Sequence, residues 1–118
     1  MTNKYLKDRL ARYRQIEISV VGRKSGKTIS VPVWFVVEGE KLYLLPVHGS
    51  NTQWYQNVLK SPQIWIDARG VGVECRATTV IDAKVVKSVV EMFREKYGTG
   101  DVRTYYSKFD VAVSVELD

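Results

Sequence analysis

The sequence predicts a mostly β protein with flanking helices (α+β), built as a six-stranded antiparallel barrel. Three observations predict it. Short β-branched stretches recur along the chain, each bounded by glycine, proline or charged residues. Connections between consecutive strands are mostly too short for the crossover that a parallel pair needs. Two other stretches, around Trp54 and around Phe93, switch from a period of two to helical spacing.

The elements follow in order. Tyr5, Leu6, Leu10 and Tyr13 predict a first helix over residues 3–14. "IEISVVG" alternates in its first half and predicts a strand. "TISVPVWFVV" and "EKLYLLPV" predict two more, with "EGE" as the turn between them. "NTQWYQNVLKSP" predicts a helix with Asn51 or Thr52 as its cap, Trp54, Tyr55, Val58 and Leu59 on its buried side, and Pro62 as its stop. "QIWIDA", a turn at "RGVG", and "VECRATTVI" predict a second hairpin. "DAKVVKSVVEMFREKYG" is the clearest helix: Asp82 caps it, Val85, Val86, Val89, Val90 and Phe93 form its stripe, and Gly98 ends it. "DVAVSVELD" closes the chain as a strand.

At 118 residues, with no internal repeat or linker, residues 1–118 form a single domain. The chain is 45% hydrophobic and 26% charged, which excludes disorder. No stretch reaches the roughly 18 apolar residues of a membrane span, so no membrane partner is expected. The charged N-terminus lacks a signal-peptide core, from which a cytoplasmic location is expected. One Cys and one His argue against a disulfide and against a Cys or His metal site. The net charge of +5 favours anionic partners, among which phosphorylated cofactors and nucleic acid both qualify.

Two segments carry chemistry. "GRKSGK" sets Arg23, Lys24, Ser25 and Lys27 around two glycines, a turn whose amides and cations suit a phosphate and equally suit solvent. In "PVHGSNTQWYQN" a strand ends at Gly49 and Ser50 and a helix begins, turning N–H groups toward an anion or a ring carbonyl. Trp54 then supplies an apolar wall and Asn57 an amide.

Together these segments resemble the deazaflavin-dependent nitroreductase family, within the flavin-binding split-barrel group that is similar to pyridoxamine phosphate oxidase. The resemblance spans residues 16–118. It rests on "GRKSGK" followed by Pro32 and the aromatic pair Trp34 and Phe35, then on Gly39, "WYQNVLKSP", the helix from Asp82 and the closing strand. Ile29 stands where the family commonly has a further basic residue, and Val47 to Ser50 replace a Ser-Lys-Gly-Gly loop.

The resemblance implies a split barrel holding a flavin-type ring and its phosphate, with coenzyme F-420 (deazaflavin) or FMN as cofactor. It implies an oxidoreductase moving a hydride between that cofactor and a small organic acceptor such as a quinone or nitro compound. Arg23, Lys24 and Ser25 are then assigned to the phosphate, with Lys27, Lys4, Lys7 and Arg14 as auxiliary cations. Gly49 and Ser50 face the ring's carbonyl edge, and Trp34 and Trp54 wall it. Tyr97, Tyr105 and Tyr106 line the substrate side. His48 is the candidate proton donor, its alternative being a surface histidine on a loop. A homodimer is a further expectation, through Trp65 or the apolar residues of the last strand. The competing class is a basic β-barrel binding module for nucleic acid or another anionic ligand. Against nucleic acid, the cations gather at one turn and one helix rather than interleaving with aromatics along a strand.

Overall fold

β-branched residues alternating between the two faces build the strands of one curled antiparallel sheet, a half-barrel, in the computed structural model, which describes residues 4–117. The chain runs α1 (Lys4–Leu10), β1 (Ile16–Val21), β2 (Thr28–Val33), β3 (Val36–Glu38) and β4 (Lys41–Leu44). A short 3-10 turn (Gly49–Asn51) leads into α2 (Gln53–Lys60), β5 (Gln63–Ala68) and β6 (Val71–Val80). Then come α3 (Ala83–Tyr97), α4 (Thr99–Tyr105) and β7 (Ala112–Glu116). The part of the expected first helix at Asn3 lies outside the described residues.

The strand order is β2-β1-β5-β6-β7-β4-β3, seven strands where the sequence predicts six. The difference has one cause. "TISVPVWFVV" is not a single strand, because the chain leaves the ladder at Trp34 and Phe35 and re-enters it at the opposite edge of the sheet. Phe35 is buried, so its backbone groups need partners there. Its N–H donates to the Tyr97 hydroxyl at 3.0 Å. Its carbonyl accepts from Lys96 Nζ at 2.8 Å and lies 2.9 Å from the same hydroxyl. The bend is therefore written in α3, 62 residues away, and not in the local sequence.

β6 makes a similar transfer without breaking. Val71 to Arg76 pair with β5, and Ala77 to Val80 pair with β7. The hairpin before it turns at Arg69 and Gly70, both at positive φ, with Asp67 accepting the Gly70 N–H at 2.8 Å.

The inner face of the sheet packs Ile18, Val20, Ile64, Ile66 and Val113 against Leu6 and Leu10 of α1 and Trp54, Tyr55 and Val58 of α2. A second cluster sets Val86, Val89, Val90, Phe93 and Tyr97 of α3 against Val36, Leu45 and Ala112. Three expectations are corrected here. Val85 lies beside the stripe and is exposed, Leu59 is exposed on α2, and α4 forms where no element is predicted. Asp82 caps α3 as expected, accepting from Lys84 and Val85 N–H. Thr52 is the N-cap of α2, but its hydroxyl accepts from His48 N–H instead of capping the helix. β7 lies inside the sheet between β6 and β4 with Val113, Val115 and Leu117 buried, so those residues offer no face to a second copy; Trp65 is half-buried. Among the described residues, no helix is long and apolar enough to cross a membrane.

Candidate functional site

The turn between β1 and β2 is closed by its own glycines. Gly22 N–H donates to the Lys27 carbonyl at 2.8 Å, and Gly26, at φ 71°, donates to the Gly22 carbonyl at 2.8 Å. Ser25 Oγ accepts from Lys27 N–H at 3.2 Å, so this hydroxyl serves the turn. The amides of Lys24 and Ser25 have no partner among the described residues, and both side chains are exposed.

Helix α2 holds this turn in place. Asn57, buried on α2, accepts at Oδ1 from both the Arg23 N–H at 3.1 Å and the Arg23 guanidinium at 2.7 Å. Gln53, one turn earlier, accepts from the same guanidinium at 2.8 Å through Oε1. Lys60, at the end of α2, donates to the Arg23 carbonyl at 3.2 Å. Every partner here is neutral. No ion pair among the described residues involves Arg23, Lys24, Lys27 or Lys60, so four positive charges stand together without a carboxylate. Such a cluster attracts an anion.

Two pockets adjoin along β2, with Trp54 in the wall of both. The first, about 350 Å³, is bounded by the turn from Gly22 to Ser25, by Ile29 and Val31, and by Trp54 and Asn57. The second, about 450 Å³ and mostly apolar, lies between Pro32, Trp34, Leu45, Trp54, Tyr105 and Tyr106. Trp34 stacks on Tyr97, and its edge meets Tyr105 at 5.4 Å and 78°. Burial and the neighbouring Tyr97 raise the pKa of the Tyr106 phenol, which stays neutral at physiological pH.

The structure brings Arg23, Lys24, Ser25, Trp54 and Asn57 to the first pocket, and Trp34, Trp54, Tyr105 and Tyr106 to the second. It does not place Tyr97 on the substrate side. That ring is buried behind Trp34, and its hydroxyl donates toward the Arg14 carbonyl at 2.6 Å. Lys27 contributes its carbonyl to the turn and lines neither pocket. Of the auxiliary cations, Lys7 pairs with Glu40 at 2.7 Å and Arg14 lies over the Tyr97 ring, both away from the turn; the Lys4 side chain lies outside the described residues.

The loop after β4 is occupied differently from expectation. Ser50 donates its N–H and its hydroxyl to the Asp110 carboxylate, at 2.9 and 2.6 Å. Gly49 donates to the Pro46 carbonyl. Both residues expected to face a ring carbonyl are thus engaged within the chain, Gly49 by a backbone carbonyl and Ser50 by a carboxylate. Burial alone would raise the Asp110 pKa, but the Ser50 hydroxyl and amide, its own backbone amide and Lys108 bring it below the ordinary value. His48 is exposed, bonds Ser107 Oγ through Nδ1 at 2.8 Å, and lines neither pocket.

Sequence reasoning missed Gln53, Lys60 and Asp110. The first two had a signal: Gln53, Asn57 and Lys60 fall at helical spacing on one face of α2. Asp110 had none, since 60 residues separate it from Ser50. Among the described residues, no group of three His, Cys, Asp or Glu side chains is placed to hold a metal ion.

The sequence profile of a family described as "Uncharacterized protein conserved in bacteria (DUF2255)" matches residues 7–116. No curated protein matches the chain in sequence. Solved structures match in fold. An F-420-H2-dependent reductase (FDR-A) superposes with a TM-score of 0.67 at 20% identity, over 87% of this chain and 94% of its own. HutZ, a heme storage protein from Vibrio cholerae, gives 0.72 at 15% identity over 99% and 90%. A candidate pyridoxamine 5′-phosphate oxidase from Listeria innocua gives 0.70 at 12% identity over 95% and 90%. At these identities the likeness shows the split-barrel fold alone.

Proposed function

The chain belongs to the DUF2255 family, and from that premise we propose that it is an oxidoreductase of the split-barrel type, binding coenzyme F-420 or FMN in the groove along β2. One observation carries this reading. Arg23 and Lys24, with Lys60 bonded to the Arg23 carbonyl behind them and no carboxylate paired to any of the three among the described residues, line the first of two pockets that share Trp54, giving a cationic end and an aromatic end in one groove.

The fit differs between the two ends. At the turn, the free amides of Lys24 and Ser25 and the charges of Arg23, Lys24 and Lys60 suit a phosphate. At the loop, Ser50 reaches a ring only after Asp110 releases it, so the ring is held chiefly by Trp54, Trp34 and the apolar face of β2. When bound, the cofactor supplies the hydride chemistry. The chain's own part is to anchor the phosphate, wall the ring with indoles and exclude water from the pocket beside Tyr105 and Tyr106. A small quinone or nitro compound suits that pocket in size and polarity. His48 acts on it as proton donor only if the loop from Val47 to Ser50 moves inward.

Titrating the purified protein with F-420 and with FMN, followed by quenching of tryptophan fluorescence, tests the reading. Saturable binding of one of them, weakened in Lys24→Ala, supports it. Binding of neither overturns it. A homodimer belongs to the same proposal, because β2, paired with β1 on one side, is an edge strand whose outer side meets no strand among the described residues, with Ile29 41% exposed beside the cations; light scattering on the eluting peak decides that part.

A further inference from the structure

α1, β3 and α3 enclose an open pocket of about 610 Å³ that shares no lining residue with the aromatic pocket. Leu10, Phe35, Val36 and Met92 give it an apolar lining, and Lys96 lies within it. The Lys96 nitrogen is half-buried, 3.6 Å from the centre of the Phe35 ring, and donates to the Phe35 carbonyl. It forms no ion pair among the described residues. The charged groups around it are few. Arg14 lies over the same Tyr97 ring, 4.9 Å from its centre against 5.1 Å for Lys96. Lys7 faces in from α1 but is held by Glu40. Glu38 of β3 and Glu95 of α3 line the pocket without pairing to the amine.

We propose that Lys96 is a nucleophilic amine and that this pocket is a covalent site for small aldehydes. A lysine desolvated against apolar surface, beside a second cation and with no carboxylate paired to it, is in the environment that turns an ammonium into a nucleophile. The carbonyl bond and the Phe35 ring favour the charged form, but burial and then Arg14 outweigh them and bring the pKa to about 8. The neutral amine's lone pair attacks the carbonyl carbon and a C–N bond forms. The amine's proton passes to the oxygen, and water then leaves to give the imine, with no oxidant or reductant required. The apolar lining takes the aldehyde's hydrocarbon tail. This site stands apart from the groove along β2 and does not rest on the cofactor reading.

Incubating the whole protein with hexanal and cyanoborohydride at pH 7 fixes any imine as a secondary amine, which peptide mass spectrometry then locates. Lys96 is expected to react on the order of tenfold faster than the exposed Lys24 and Lys84, an advantage that shrinks as the pH rises and ordinary lysines deprotonate. Lys96→Arg keeps a cation over Phe35 but removes the amine, so the fast fraction of hexanal incorporation disappears while the unfolding midpoint barely moves. Modification spread over all lysines according to exposure, or an unchanged fast fraction in Lys96→Arg, overturns the proposal.

Discussion

The Trp34 indole lies flat on the Tyr97 ring, with centroids 4.3 Å apart and planes 6° from parallel. The same tyrosine's hydroxyl accepts the Phe35 N–H and shares its proton between the Arg14 and Phe35 carbonyls. One side chain thus sets both the bend of the chain and the wall of the aromatic pocket.

Replacing Tyr97 with Phe separates these roles. The stack survives, but the buried Phe35 N–H loses its acceptor, a loss of about 1–3 kcal/mol. A lower urea midpoint at unchanged slope is the expected result. Tyr97→Leu also removes the stack, which adds about 0.5–1.5 kcal/mol and shifts tryptophan emission.

Stability should change with pH in two opposed ways. Burial raises the Tyr97 pKa to about 12, partly offset by the Phe35 backbone bond and Arg14; burial also raises Tyr106 and Tyr55. Folded phenols keep protons that unfolded ones release near pH 10, so stability falls as the pH climbs from 10 toward 12. Lys96 has the reverse sign. Folded, it releases its proton near pH 8, while the unfolded chain holds it to about 10.5, so its contribution rises across that window. Subtracting the Lys96→Arg profile of urea midpoints from the wild-type profile isolates that rise.

At the turn, Lys24→Ala and Asn57→Ala should part company. Lys24 is exposed, so its loss leaves unfolding unchanged and weakens binding of F-420 or FMN by about 10- to 100-fold, the worth of a charged hydrogen bond. Asn57→Ala releases both bonds to Arg23 and costs about 1–3 kcal/mol of stability besides. Urea unfolding alongside fluorescence titration distinguishes them.

Gly49 sits at φ 56° with the Asp110 carboxylate against the space a Cβ would fill. Gly49→Ala should cost about 1–2 kcal/mol from the backbone alone and more from the clash. In the Asp110→Ala background the closest contact is gone and only the Lys108 side chain, at 3.0 Å, still crowds the added Cβ, so a double-mutant cycle should show the Gly49→Ala penalty reduced. Asp110→Ala also frees both Ser50 donors, and if these meet the ring, cofactor affinity increases in that variant.

The strands, the two longer helices and the turn cations were legible because each follows from local chemistry: alternation in "IEISVV", the Asp82 cap, glycines on either side of Arg23. Trp34 and Phe35 were not. Their residues have high strand propensity, and only the partners on α3 make leaving the ladder favourable. Tyr97 was expected on the substrate side from the family resemblance, and a resemblance does not say which ring a buried tyrosine meets. Gly49 and Ser50 read as free donors because nothing near them in sequence announces the carboxylate of Asp110.

The bend at Trp34 and Phe35 joins the two edges of a seven-stranded sheet, so the last strand pair to be reconciled is also a pair of sequence neighbours. Its fastening, from Phe35 to Tyr97, closes a loop of 62 residues and needs α3 already docked. A contact that needs a docked helix is expected to be absent from the folding transition state, and such contacts act on the unfolding rate. The clasp therefore governs how long the folded chain persists more than how fast it forms, and its loss should appear mainly as a higher unfolding rate.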